Sequence, residues 1–172
     1  MLVDAHVHRL RAFTLTLLLA LSLTSCASPP ELVVADAESG PDFFHVNVDE
    51  VDALSLAWIH SIEKTPWEER YHVEDDHLVL TDVYLKSFGA GAPTDLEGIT
   101  RNEDGMVHTS SIDREIPRLQ WVHSHETSHT LTITFLNGEP PLVLDDEIPH
   151  HTFATVYVRS VSYTHLTLPT KA

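Results

Sequence analysis

Alternation of apolar and polar positions dominates residues 42–161. Phe43–Val48 alternates with a period of two, and Leu54–His60 does so again. Leu78–Phe88 reads as one long strand or a bent pair. Leu119–His123, Thr130–Phe135 and Thr152–Arg159 continue the series. β-Branched and aromatic residues recur in all of these segments, which suits a pleated, half-buried surface. Polar turn signals separate them: Glu74–His77, Asn102–Gly105, and Asn137–Gly138 with Pro140 and Pro141 close behind. No segment shows a helical period with caps. The pattern predicts an all-β domain, a small antiparallel sandwich or barrel. Asn137–Gly138, between Ile133–Leu136 and Leu142–Leu144, is the strongest hairpin signal and predicts a type I′ turn.

The N-terminal end follows another rule. Arg9 and Arg11 precede an apolar block, Ala12–Leu23. That block matches a signal-peptide core and falls short of the ~20 residues that span a bilayer. It ends in Leu23, Thr24, Ser25 and Cys26, which resembles a lipobox. The expectation is a lipoprotein signal peptide over 1–25, lipidation at Cys26 and a flexible tether over 26–41. The chain would then be extracytoplasmic, lipid-anchored at the cell surface or in the periplasm. Two acyl chains on one cysteine suffice for stable anchoring, and a single cysteine has no internal disulfide partner. Upstream, Asp4, His6 and His8 resemble the first-strand metal motif of amidohydrolases. Those enzymes need a barrel of ~250 residues, and this chain has 172. At the other end, Val161–Ala172 resembles translated adapter DNA, so 162–172 is expected to be non-native and His165 to carry no chemistry.

Charge narrows the partners. Asp and Glu number 26 against 10 Lys and Arg, giving a net charge of −16. Such a surface repels nucleic acid and anionic headgroups, so no nucleic-acid partner is expected. A surplus of acid over lysine is also what a high-salt environment favours. Between residues 26 and 161 the only lysines are Lys64 and Lys86.

Candidate chemistry concentrates in two places. Trp58–Thr65 and Trp121–Ser128 echo one another as Trp, Ile or Val, His, Ser, any residue, Glu. If their strands paired about a pseudo-twofold axis, His60 and His123 would meet. His123 and His125, two apart on one strand, point to one face, and with His60 they define an alternative zinc site or metal-dependent hydrolase. Ser61 and Ser124 each follow a histidine directly and so face away from it, which excludes a nucleophile–base pair. The segment Glu63–Tyr71 combines two cations, Lys64 and Arg70, with two flat apolar walls, Trp67 and Tyr71. It reads as a loop, because Pro66 interrupts regular structure, and its cations would draw an anionic ligand such as a carboxylate. Phe88, Gly89 and Gly91 form a glycine-rich loop without phosphate-binding context; it is expected to fold over the Trp58–Tyr71 patch.

These two segments resemble the family called domain of unknown function 1850. The residues that carry the resemblance are Trp58, His60, Ser61, Glu63, Pro66, Trp67, Glu69 and Tyr71, then Ser87, Phe88, Gly89, Gly91 and Pro93. It extends over about residues 43–160. The family is small, exported or membrane-associated, has no assigned activity, and lies beside or fused to TAXI-class TRAP transporters. The resemblance therefore implies a non-enzymatic accessory or binding module for organic-acid uptake. Its partners would be the membrane through the lipid anchor, transporter subunits or the solute-binding protein, and a small organic acid. It implies no cofactor. Trp58, His60, Ser61, Glu63, Lys64, Trp67, Glu69, Tyr71, Phe88, Gly89 and Gly91 are the expected ligand- or partner-binding residues.

Overall fold

The alternating segments become strands because each buries one face and leaves the other to water. A computed structural model describes residues 28–38, 40–89, 92–93 and 95–160. Among these the strands are β1 (Glu31–Asp36), β2 (Asp42–Asn47), β3 (Val51–Ile59), β4 (Pro66–Val73), β5 (Leu78–Leu85) and β6 (Ile99–Glu103). They continue with β7 (Met106–Ile116), β8 (Arg118–Val122), β9 (Thr130–Phe135), β10 (Leu142–Leu144) and β11 (Phe153–Arg159). Among the described residues, helical structure is limited to short 3₁₀ turns at Val48–Glu50 and His125–Thr127.

Two antiparallel sheets form. One runs β2-β1-β11-β8 and the other β10-β9-β3-β4-β5-β7-β6. No strand pairing joins them, so the architecture is a sandwich and not a closed barrel. Their inner faces share a core. Leu32, Val34, Trp121 and Val156 come from the smaller sheet, and Leu54, Leu56, Leu85, Leu131 and Ile133 from the larger. Most of these are fully buried, and each such aliphatic side chain contributes about 1.5–3 kcal/mol over its exposed state.

Several expectations need correction. The tether over 26–41 is interrupted by β1, whose Leu32, Val33 and Val34 are buried. Pro66 does not make a loop of the Glu63–Tyr71 segment. It is the first residue of β4, where a strand tolerates a missing N–H. The hairpin at Asn137–Gly138 exists, with Leu142 opposite Ile133, but its connection runs from Leu136 to Pro141. Gly138 has φ +78° while Asn137 is not left-handed, so the turn is not type I′. β6 and β7 carry Arg101, Asn102, Ser110 and Asp113, too polar for their alternation to stand out. β3 and β8 lie in different sheets, so the two echoing segments do not pair.

Candidate functional site

The β3–β4 hairpin builds one end of the sandwich. Trp58 and Trp67 are cross-strand partners, with ring centroids 5.5 Å apart. His60 stacks on Trp67 at 5.1 Å and 18°. The turn closes through the His60 N–H donating to the Thr65 carbonyl at 2.8 Å and the Lys64 N–H donating to the His60 carbonyl at 2.9 Å. Lys64 takes the left-handed conformation, φ 56°. The Glu63 N–H donates to His60 Nδ1 at 3.2 Å, so a neutral His60 carries its proton on Nε2. Ser61 and Lys64 are exposed, and Ile62 at the tip is 74 % exposed. The Thr65 hydroxyl and the Trp67 Nε1–H are buried without a hydrogen-bond partner.

The β5–β6 loop meets this hairpin through Glu63. A Cβ added to Gly89 would lie 1.3 Å from Glu63 Oε1, so only glycine permits that side chain to cross. Phe88, beside it, is 54 % exposed. Gly89 thus meets the hairpin at the Glu63 carboxylate. Gly91 and Cys26 lie outside the described residues.

Glu69 and Tyr71 sit deeper. Both project from the inner face of β4. Glu69 faces Leu56 on one side and Val83 on the other. The Tyr71 hydroxyl donates to Glu69 Oε2 at 2.5 Å. Burial raises the Glu69 pKa, and the Tyr71 hydrogen bond only partly offsets it. Burial also holds the Tyr71 phenol un-ionised, with the Glu69 charge adding to the effect. Arg70 points to the opposite face. There it pairs with Glu68 at 2.7 Å and lies 4.5 Å over the Tyr84 ring, beside a shallow groove of about 300 Å³.

The histidines form a second layer. His123 is fully buried. Its Nδ1 accepts from Trp121 Nε1–H at 3.3 Å and its Nε2–H donates to the Asp145 carbonyl at 2.9 Å. Both nitrogens are therefore held by the fold. Burial lowers its pKa, and the neighbouring histidines lower it further. His125 leaves the strand in a 3₁₀ turn and lies edge-on to His123 at 5.3 Å. Its Nε2–H donates to the Ile148 carbonyl at 3.0 Å, and its backbone N–H donates to His150 Nδ1 at 3.1 Å. Among the described residues, no three His, Cys, Asp or Glu side chains converge as a metal-holding set.

His129 links the layers. It stacks on Trp58 at 6.0 Å and 4°, and its ring lies 5.9 Å from His123. The two echoing segments thus face each other across this ring without pairing. Burial lowers the His129 pKa, against a hydrogen bond to the Ser124 carbonyl. In the sequence His129 is only a third histidine near His123 and His125; its stacking on Trp58 and the role of His150 were not evident. Their only trace was the four-residue step from His125 to His129 and the His150–His151 doublet, neither of which follows the strand period.

An open antiparallel sandwich with its polar and aromatic side chains gathered on the loops of one end defines a β-sandwich module whose site lies at the strand ends, not in a central cleft. Residues 54–136 match the family described as Domain of unknown function (DUF1850). The matched span runs from β3 through β9, so it includes both site loops and leaves out β1, β2, β10 and β11. Neither the curated proteins nor the solved structures contain a match.

Proposed function

We propose that the protein is a non-enzymatic, lipid-anchored accessory module that binds a subunit of a TRAP-type organic-acid transporter, or its solute-binding protein, on the extracytoplasmic face. The match of residues 54–136 to that family supports the setting. The observation that carries the reading is the pairing of two exposed apolar tips. Ile62 and Phe88 are 74 % and 54 % exposed on two loops that Glu63 and Gly89 bring into contact. Exposed aliphatic and aromatic tips on a rigid scaffold are what a partner surface uses as anchors. Lys64, on the same turn, forms no ion pair among the described residues. The buried histidines, by contrast, hold the fold together through their ring nitrogens.

The test is capture by purified TAXI-type solute-binding protein and permease, using full-length chain from membranes. The wild type should be retained, and its mass should show diacylglycerol on Cys26. Ile62→Asp with Phe88→Asp should weaken retention at least ~10-fold without lowering the melting temperature, because neither side chain is in the core. Wild-type chain retained by neither partner would refute the reading.

A further inference from the structure

We infer that the Ile62 and Phe88 tips face away from the bilayer, and that the partner they hold is a water-soluble protein, not a membrane-embedded one. This rests on the reading of Cys26 as the lipid anchor and names the kind of partner that reaches the exposed tips. The short leash before β1 decides it. Pro30 is already part of the fold, because its carbonyl accepts from the Val48 N–H at 2.9 Å. Only Ala27, Ser28 and Pro29 separate it from Cys26. Four links of extended chain reach at most about 14 Å.

Strand register fixes which end of the sandwich that leash holds. Glu31, the first residue of β1, lies opposite Asn47 at the end of β2 and Arg159 at the end of β11. The Val48–Glu50 turn then leads into β3 from the same end. β3 runs from Val51 to Ile59 and passes the chain to the Ile62 turn. β5, antiparallel to β4 and so running the same way as β3, ends at Leu85, just before Phe88. The nine residues of β3, at ~3.3 Å per step, hold the two ends about 26 Å apart. Turning the tips onto the bilayer would lift Pro30 that far from it, beyond the reach of the leash. Charge acts the same way. Exposed Asp49 and Glu50 beside β3, and Glu74, Asp75 and Asp76 on the β4–β5 turn, make the held end acidic in a chain of net charge −16. Anionic headgroups repel such a body, so it stands off the membrane instead of lying along it. The tips are presented to what diffuses above.

The experiment uses the full lipidated chain in phosphatidylcholine–phosphatidylglycerol vesicles that carry an acceptor dye on a headgroup. Cys26 is the only cysteine and its thiol is acylated, so Ile62→Cys, Phe88→Cys and Asp75→Cys each take a single donor dye. Phe88→Cys repeats the measurement if Ile62→Cys disturbs the turn. Energy transfer from either tip should be at most about half of that from position 75, given the ~26 Å between the ends. A thirty-residue Gly-Ser insert after Ala27, spanning about 30 Å on average, should bring the two positions together. Equal transfer from both ends on the native leash, or stronger transfer from the tips, overturns the orientation. Capture is read separately. Vesicle-bound chain should retain the soluble solute-binding protein, lose it at least ~10-fold with Ile62→Asp and Phe88→Asp, and fail to retain permease reconstituted alone. Retention of the permease alone through these tips defeats this inference and leaves the proposed function standing. Retention of neither partner, with the transfer pattern intact, defeats the proposed function and leaves the orientation.

Discussion

Glu69 is the residue least suited to its surroundings. Its carboxylate lies between Leu56 and Val83 with the Tyr71 hydroxyl as donor. Burial raises its pKa above the ordinary 4.5. A raised carboxyl favours folding only while protonated. That contribution is present below the unfolded pKa and is lost as pH rises through the folded one. Near neutral pH the ionised side chain therefore works against the fold. Glu69→Gln keeps an acceptor for Tyr71 and removes the charge. We expect it to stabilise the domain by about 1 kcal/mol at neutral pH and to make little difference in acid, measured by urea unfolding at the two pH values. Destabilisation at neutral pH would show that the carboxylate has a role the packing does not reveal. At this scale the sequence was informative about identity and silent about depth. The spacing of Trp67, Glu69 and Tyr71 puts them on one face, but no local signal says that this face is the inner one. Lys64, expected on a loop, does lie on an exposed turn, while the exposure of Ile62 beside it had no signal in the sequence.

Among the elements, the β10–β11 connection depends most on side chains. It is tied to the end of β8 by His123 Nε2–H to the Asp145 carbonyl, His125 Nε2–H to the Ile148 carbonyl and the His125 N–H to His150 Nδ1. Backbone bonds between His123 and both His151 and Thr152 complete the seam. The pKa values of His123 and His129 are lowered from 6.5, mainly by burial. A lowered histidine favours folding above the unfolded pKa, and that contribution disappears as pH falls through the folded one. Unfolding free energy should therefore hold steady above about pH 7 and decline below about 6.5. Hydrogen-exchange protection at the His123 and His151 amides, the two that cross the seam, should fall first, and a flat profile down to about pH 5 would contradict the assignment. Legibility of the elements followed their exposure. β9 was readable at both ends because one face is apolar and the other is threonine. β1 was mistaken for tether because Leu32–Ala35 is short and uniformly apolar, buried on both faces, and so shows no alternation. β6 is exposed along its whole length and has no apolar face to reveal it.

For the molecule as a whole, charge and connectivity set the behaviour. A net charge of −16 works against compaction through self-repulsion. Raising salt from about 0.01 M to 1 M shortens the screening length from ~30 Å to ~3 Å. The melting temperature should rise across that range, and calorimetry showing no rise would mean that the acids are already accommodated. The smaller sheet has a further consequence, for biosynthesis. Its two central strands are β1 and β11, the first and last of the fold, and Arg159 bonds Glu31 across 128 positions of sequence. Pairings of such long range are slow to find. Until β11 has been synthesised and delivered, β2-β1 and β8 have nothing to join them, and the buried edge of β1 is open to any other strand nearby. The open edge of β1 must therefore stay protected until β11 arrives to pair with it.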